Sequence, residues 1–476
     1  MKIKRNGSGF TRVINPKAVI FLLFLFVLIF SAKQDSSAVW CQESRSSQTE
    51  TILNDVAKHL ANRDFTSALA LFDALPPEEA EKTSIRIIRA SILNSAGRTA
   101  EAKQIANSII ASDGGNTDAL MILADAAAIE GKDRDRRVFL DRIIGIDSNH
   151  VRALNDLGNI NFRNKNLRGA AGYFDRALAA EPDNGEALVS RAAVYRYNND
   201  ARNAERLLNR AIVLYPDWAR PLHERARLYM GSVYYNDAME DLTAALKLEP
   251  DNYWMLVDYG LVLMEMDRKP DALVSFNKAI AVSPDIFMAY VYSAGIKDEL
   301  GDYGEAEKDY IRLAKLKPDY YFAHEAIGII RMRNKQWTGA RDAFLEAYKQ
   351  APKEYNYALL AAINWMRAGR QTDPKQFLAQ VMRTAARDTL DFVMLKLYHD
   401  LSGDSDAAVK IENEQNIYAK SKMLYYLASY YDIRGSKLLA DRFFLMVKDL
   451  NAYACVEFKL NEIALKERGL SQESGR

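Results

Sequence analysis

Apolar residues recur along the chain in paired stretches of helical spacing, and the whole pattern returns every 34 residues. The frame is set by six prolines, each 34 residues after the one before it: Pro182, Pro216, Pro250, Pro284, Pro318 and Pro352. When each unit ends two residues after its proline, nine consecutive units run from Thr49 to Glu354 without an insertion. A unit of this length accommodates two helices, so the period predicts a stack of helical pairs.

Three places within the unit, numbered from 1 to 34, hold residues of characteristic size. Place 8 is small in most units: Val56, Ala90, Ala124, Gly158, Ala192, Ala226, Gly260, Ala294 and Gly328. Place 20 is alanine in all but one unit: Ala68, Ala102, Arg136, Ala170, Ala204, Ala238, Ala272, Ala306 and Ala340. Place 24 is large or apolar in most units: Phe72, Leu140, Phe174, Leu208, Leu242, Phe276, Tyr310 and Phe344. Small residues at places 8 and 20 predict a close approach of two helices, with bulky residues filling the space beside them.

The ends of the predicted helices carry their own signals. Turn residues such as Gly97, Gly131, Asn199 and Gly301 are expected to end the first helix of a pair. The recurring proline is expected to end the second helix, because its ring clashes inside a helix. The aspartate that follows the proline in "EPDN", "YPDW" and "KPDY" is expected to cap the next helix.

The pattern closely resembles the tetratricopeptide repeat family. The resemblance is strong over 151–354 and looser over 49–150; it degenerates over 355–452, where Pro374 takes the usual alanine place, and a capping helix with a tail is expected at 453–476. It implies an all-α fold, a right-handed superhelix of about twelve helical pairs. In this family the first helices line a concave groove, and ligand contacts come from places 2, 5, 6, 9, 12 and 13.

Carried over to this sequence, the resemblance implies a groove that is basic and polar at first, then aromatic and rich in methionine. Its candidate partner-binding residues are Arg152, Asn155, Asn159, Arg163, Arg196, Tyr197, Arg220, His223, Arg227, Met230, Trp254, Met264, Met288, Tyr292, Phe322 and Met332. Acidic residues are interspersed among the arginines: Asp156, Glu186 and Glu224. Arginine, methionine and aromatic residues are enriched at protein interfaces, so a protein or peptide partner is expected.

The first forty residues have the organisation of an export segment. A basic stretch precedes the apolar run "AVIFLLFLFVLIFSA" at Ala18–Ala32, which is short for a membrane span. Residues 1–40 are therefore interpreted as a signal peptide, with Ser36–Ala38 as a cleavage site, or as a retained membrane anchor. Cys41 is a candidate lipidation site, although Trp40 before it departs from the usual pattern. The expected location is the periplasm or cell envelope, with membrane contact if the segment is retained or lipidated.

Composition and charge narrow the function. The formal net charge is +1, and much of the positive charge precedes the repeats, which argues against nucleic-acid binding. The five histidines occupy different repeat places, and the sequence contains no metal-ligand spacing, phosphate loop or nucleophile motif. We therefore expect no enzyme activity, metal, cofactor or small-molecule substrate.

The sequence thus predicts an exported, non-enzymatic scaffold or adaptor that binds a partner protein in its groove. Two alternatives stay open at this stage. The first is a surface-exposed adhesin or host-contact protein, and the second is an auxiliary subunit of an envelope enzyme or transporter.

Overall fold

The computed structural model describes the backbone of residues 39–370 and 373–470, with side chains from Thr49 onward. The apolar run Ala18–Ala32, the cleavage site and the Cys41 side chain lie outside the described residues, so their roles stay predictions. The described part of the chain is all-helical, with no β-strand, as expected for the fold class. None of its helices combines the length and the apolar character needed to cross a membrane. The right-handed superhelix stays a prediction.

Within residues 39–470, twelve helical pairs follow one another, and one more helix comes after them. The first helices are α1 (Val39–Ala61), α4 (Thr83–Ser95), α6 (Thr117–Ile129), α8 (Val151–Arg163), α10 (Gly185–Tyr197), α12 (Ala219–Gly231), α14 (Tyr253–Glu265), α16 (Met288–Glu299), α18 (Tyr321–Arg333), α20 (Tyr355–Arg367), α22 (Leu390–Asp400) and α24 (Ile417–Ile433). The second helices are α2 (Phe65–Ala70), α5 (Thr99–Ser112), α7 (Asp133–Ile146), α9 (Leu167–Ala180), α11 (Ala201–Leu214), α13 (Tyr235–Leu248), α15 (Lys269–Val282), α17 (Tyr303–Leu316), α19 (Trp337–Gln350), α21 (Pro374–Met382), α23 (Asp404–Glu412) and α25 (Lys437–Asp449). A 3₁₀ turn (Leu71–Ala74) and α3 (Pro77–Ala80) follow α2, and α26 (Val456–Glu467) ends the described chain.

The chain divides into two compact units, each containing six of these pairs. Unit 1 ends at Leu248, the last residue of α13, and unit 2 begins at Glu249. The boundary between the units falls inside the segment 151–354 that was predicted from the sequence. The two divisions differ because the units reflect packing, whereas the predicted segments reflect how well the repeat pattern is kept.

We define the first-helix face of a unit as the residues at places 2, 5, 6, 9, 12 and 13 of its first helices.

The predicted packing places form the core of both units. The alanines of place 20 are completely buried, from Ala68 in unit 1 to Ala340 in unit 2. At the one place without alanine, Arg136 is buried as well, and its guanidinium lies 3.1 Å from the carboxylate of Asp156 on the next first helix. A charged side chain is kept in a helix-packing position here because a buried carboxylate neutralises it.

Places 8 and 24 are matched in size within three of the pairs. Glycine at place 8 faces phenylalanine at place 24 in Gly158–Phe174, Gly260–Phe276 and Gly328–Phe344. A Cβ on Gly260 or Gly328 would lie 2.7 or 2.6 Å from the facing ring, which is closer than packed atoms approach. Where place 8 is Ala192 or Ala226, place 24 is the smaller Leu208 or Leu242, and all four are buried. The space between the two helices is therefore filled by different combinations of similar volume.

Most of the expected helix ends are confirmed. Gly97, Gly131, Asn199 and Gly301 adopt positive φ angles directly after first helices, the backbone conformation typical of a helix C-terminus. The second helices end two residues before each of the six prolines. The capping prediction was wrong. In the two EPDN segments, Asn184 and Asn252, not the aspartates before them, accept the capping hydrogen bonds. Asp183 instead accepts hydrogen bonds from Arg210. In YPDW and KPDY, the N-cap residues are Trp218 and Tyr320, whose side chains form no capping hydrogen bond.

Candidate functional site

The candidate residues differ widely in exposure. The exposed ones are Arg152, Arg163, Tyr197 and Trp254. The half-buried ones are Asn159, Arg196, Arg220, Arg227, Met230, Met264, Tyr292 and Phe322. The buried ones are Asn155, His223, Met288 and Met332. The buried set contributes to packing between helices, so the surface available to a partner is smaller than the sequence suggests.

Three arginines of the unit 1 first-helix face are paired with carboxylates of neighbouring first helices, while Arg163 pairs with Asp133 on the second helix α7. Arg152 on α8 donates to both carboxylate oxygens of Asp125 on α6, at 2.9 and 2.6 Å. Arg220 on α12 pairs with Glu186 on α10. Arg196 on α10 pairs with the following first helix instead, and donates a hydrogen bond to Glu224 on α12 at 3.5 Å. These pairs connect successive helices, so the face is electrically balanced and not generally basic.

Glu224 is a strongly perturbed carboxylate of this face. Its burial raises the pKa, but the nearby charges of Arg227, Arg196, His223 and Arg220 outweigh that effect and lower it to about 2. The Oε1 atom of Glu224 lies 3.3 Å from Arg227, one turn along the same helix. Glu224 therefore stays ionised and orders several arginine side chains at once.

A second charged group lies where α6, α7 and α8 meet. Burial raises the pKa of Asp125, although Arg152 lowers it in part, while the neighbouring Asp156 raises it further. Arg136 lies 3.1 Å from Asp156 and also lowers the pKa of Asp125. Two buried carboxylates, the buried Arg136 and the exposed Arg152 thus tie three helices together.

The clearest exposed anchor of unit 1 is Tyr197, at the end of α10. Its side chain is 56% exposed, yet two neighbours hold the ring in place. Phe162 of α8 meets it edge-to-face, with ring centroids 5.1 Å apart, and the Arg196 guanidinium lies 5.1 Å from the Tyr197 ring centre. Phe162 was missed in the sequence analysis, although it stands at place 12, one of the contact places. We call Phe162, Arg163, Arg196 and Tyr197 the α8–α10 strip.

Two buried candidate residues of unit 1, Asn155 and His223, interact with neighbouring residues of the repeats. Asn155 donates a hydrogen bond to the side-chain oxygen of Asn184, the N-cap of α10, at 3.0 Å. His223 is buried on α12 and contributes to the charge environment of Glu224.

In unit 2, the apolar candidates also divide between packing and exposure. Trp254 is 37% exposed and packs edge-to-face on Tyr253, with centroids 5.1 Å apart. Tyr292 stacks on the buried ring of Phe276 at 5.2 Å, so much of its surface serves the core. Phe322 packs on Tyr321 at 4.2 Å. Trp254 is therefore the most accessible of the apolar candidates in unit 2.

Helix α26 lies on the first-helix face of unit 2, whereas the sequence pattern predicted only a capping helix there. Lys459 forms an ion pair of 2.7 Å with Asp298, at place 12 of α16. Glu467, at the other end of α26, lies 3.7 Å from Lys335, just after α18. Arg468 follows α26 and pairs with Asp432 of α24 at 2.6 Å. Contacts over such sequence separations carry no local signal in the chain.

The described residues contain no group of three or more His, Cys, Asp or Glu side chains arranged to hold a metal ion. Cys455 is half-buried beside α26, and burial raises the pKa of its thiol.

Comparison with known proteins supports the tetratricopeptide repeat family for this chain. The family model described as a tetratricopeptide repeat matches residues 140–185, within unit 1, and 297–355, within unit 2. Outside these ranges, the assignment rests on the 34-residue pattern and the helical pairs. A comparison with curated protein sequences gave no significant match.

Several solved structures resemble parts of the chain at low identity. PilF of Pseudomonas aeruginosa is 18% identical over 42% of this chain and 92% of its own, with a TM-score of 0.39. A tetratricopeptide repeat protein of Parabacteroides merdae is 18% identical over 52% and 98%, with a TM-score of 0.41. PilW, described as a type IV pilus biogenesis factor, is 16% identical over 44% and 98%, with a TM-score of 0.40. At these identities and scores, the similarity carries no information on function.

Proposed function

We propose that this helical repeat protein of the tetratricopeptide type is a non-enzymatic interaction scaffold of the cell envelope, and that it binds a segment of a partner protein on the first-helix face of unit 1. Proteins with this kind of repeat generally act by binding other proteins. The partner's apolar groups would dock on the α8–α10 strip, and its charged groups would meet the arginine–carboxylate pairs. Trp254 and Met264 would offer further apolar contacts in unit 2.

The observation that carries this proposal is the rigid exposure of Tyr197. An aromatic ring that is more than half exposed, but held by Phe162 and Arg196, offers a large contact area with little further loss of conformational freedom. Such anchors dominate the binding energy of protein interfaces. Arg163 follows Phe162 in the chain, is also exposed, and pairs with Asp133 at 3.3 Å.

Because the arginines are paired with carboxylates, a partner would be recognised by the order of its positive and negative charges. A partner carboxylate would have to compete with Asp125, Glu186 or Glu224 for the same guanidinium groups. Acidic segments in general would therefore bind weakly, and a partner with both charges in matching order would be favoured.

The test is affinity purification of the full chain from membranes of its own cells, followed by mass spectrometry. Tyr197→Ala should reduce recovery of the specific partner at least fivefold relative to the unmodified protein. The matched control is Val213→Ala, at an exposed position on the second helix α11, and it should leave recovery unchanged. Equal recovery with both variants would contradict the proposed surface.

The envelope location is part of the proposal and is supported by the basic start and apolar run Ala18–Ala32. Cell fractionation combined with N-terminal sequencing of the mature protein tests it. A mature chain that starts after Ala38, or one modified on Cys41, would support export. An intact N-terminus on a protein recovered from the cytoplasm would contradict it.

A further inference from the structure

Helix α26 occupies the first-helix face of unit 2. Lys459 pairs with Asp298, at place 12 of α16, and Arg468, directly after α26, pairs with Asp432 of α24. A cleft runs along the contact and is lined from the first helices by Met332, Arg333 and Arg367, and from α26 by Leu460, Ile463 and Glu467. These are the places at which the sequence analysis expected a partner.

Helix α26 makes contacts beyond those that a capping helix needs. A cap has to cover the last pair, α24 and α25, and α26 does so: Asn461 donates to the carbonyl of Phe444 at 3.1 Å. Lys459, however, reaches Asp298, 161 residues earlier in the chain. A segment that contacts the first helices of several pairs is placed as a bound ligand would be.

The contact has an apolar stripe. Phe458, Leu460 and Leu465 are buried together with Met332 and residues of α20 and α24 in one core cluster. Next to them, Glu457 is buried and accepts a hydrogen bond of 2.5 Å from Tyr426. The helix is thus recognised by its apolar side and by one buried carboxylate.

The contact also has a charge order. The start of α26 faces an acidic region, where Lys459 pairs with Asp298. Lys459 also lies close to Glu325: burial raises the pKa of the Glu325 carboxyl, and the charge of Lys459 lowers it in part. At the end of α26, Glu467 lies on Lys335, while Arg367 and Arg468 both pair with Asp432. The pairs of Lys459 with Asp298 and of Glu467 with Lys335 are satisfied by a helix whose lysine precedes its glutamate along the chain.

We propose that the first-helix face of unit 2 is a helix-binding site that its own α26 occupies, and that a partner protein replaces α26 with an amphipathic helix of the same chemistry. That helix carries a Phe/Leu/Ile stripe, a lysine near its start and a glutamate near its end. This site adds a second partner-binding surface to the proposed function. Because it concerns unit 2 alone, it can be tested independently of the α8–α10 strip.

The apolar stripe of α26 holds this helix on the face more strongly than its ion pairs do, because Phe458, Leu460 and Leu465 are buried. A helix of 12 residues is marginal in water by itself, so α26 depends on its docking contacts. Its ion pairs with Asp298 and Lys335 involve half-exposed side chains, and such pairs contribute about 0–1 kcal/mol each. The short connection from α25 nevertheless gives the docked helix an effective concentration on the order of millimolar. A competitor in solution therefore binds well only when the α26 contacts are weakened.

The experiment uses the full chain and a fluorescent synthetic peptide of residues 453–470 as the probe. The variant Lys459→Glu/Leu460→Ala weakens α26 without altering the face on which it lies. Fluorescence anisotropy should show at least tenfold tighter peptide binding to this variant than to the unmodified protein. The matched control is Lys466→Glu, the same charge change at an exposed position of α26, which should bind the peptide as weakly as the unmodified protein.

A charge exchange tests the orientation. A peptide that carries Lys459→Glu should bind the weakened variant at least fivefold less tightly, and adding Asp298→Lys to the protein should restore its binding. Hydrogen exchange gives a second readout that needs no peptide: in the unmodified protein, α26 should exchange faster than α24 and α25.

Three results would overturn the proposal. The first is a weakened variant of native helix content that binds no peptide. The second is an α26 that exchanges only when the whole of unit 2 unfolds, which would make it a fixed part of the core. The third is a weakened variant that forms stable dimers without peptide, which would assign the face to a second copy of this chain.

Discussion

The ring of Phe174 occupies the space into which a side chain on Gly158 would project. The two residues face each other across α8 and α9, and a Cβ on Gly158 would overlap the ring. Any residue could adopt the helical backbone conformation at position 158. Glycine is needed there because the ring of Phe174 lies so close. In the next pair, the same two places hold the buried Ala192 and Leu208.

We predict that Gly158→Ala destabilises unit 1 by about 1–3 kcal/mol, because the added methyl group overfills the core. Phe174→Leu in the same chain should recover most of this loss by restoring the alanine–leucine combination. Urea unfolding followed by circular dichroism measures both effects. The control is Gly172→Ala on α9, where no atom lies within 4 Å of the added carbon, and this variant should gain up to about 1 kcal/mol. A double variant no more stable than Gly158→Ala would contradict the size-matching explanation.

A second prediction concerns the buried ion pair of Arg136 and Asp156. Arg136→Ala should cost roughly 3–5 kcal/mol, because it leaves the carboxylate of Asp156 buried without its neutralising partner. Arg136→Ala/Asp156→Ala should cost clearly less, since it removes both charges, including the carboxylate that raises the pKa of Asp125. The comparison of urea midpoints decides the matter: additive losses in the double variant would mean that the two charges are not coupled.

The sequence predicted the helical pairs and their packing places because these depend on local spacing. Alanine at place 20 and glycine or alanine at place 8 repeat at a constant interval, and each is explained by the helix opposite it. Helix ends were predictable for the same reason, apart from the one-residue error at the N-caps. Arg136 shows the limit of the pattern, because its buried partner lies on the next pair.

The candidate surface was less predictable, because it depends on which side chains find partners across pairs. From the sequence, Arg220 and Glu186 were two groove residues, and only the fold shows that they neutralise each other. Tyr292 has a contact place in the pattern, yet it stacks on Phe276. The docking of α26 depends on contacts more than a hundred residues apart, which no local pattern encodes.

A third prediction concerns pH and Glu224. Its pKa in the folded protein is about 2, below the ordinary value of 4.5, so its stabilising effect is complete above pH 4.5 and is lost as the pH falls towards 2. Glu224→Gln should therefore cost on the order of 2–3 kcal/mol at pH 6 and about half as much at pH 3. Urea unfolding of both proteins at the two pH values measures the difference. A cost that does not change with pH would show that the Glu224 charge contributes nothing.

A fourth prediction separates the two aromatic candidates of unit 2. Tyr292→Ala should lower stability by roughly 2–4 kcal/mol, because it removes a ring stacked on the buried Phe276. Trp254→Ala should change stability by less than about 1.5 kcal/mol, since this side chain is more exposed and packs on a single ring edge. Thermal unfolding of the two variants tests the contrast, and equal losses would contradict the assignment of Tyr292 to the core.

The central claim is that a partner protein contacts the first-helix face of unit 1 at the α8–α10 strip. The most direct measurement is photo-crosslinking in living cells, with benzoylphenylalanine placed at position 197 of the full chain and, in a parallel culture, at position 213. We expect a discrete crosslinked product with one protein from position 197 and none with that protein from position 213. No crosslink from position 197, or the same product from both positions, would contradict it.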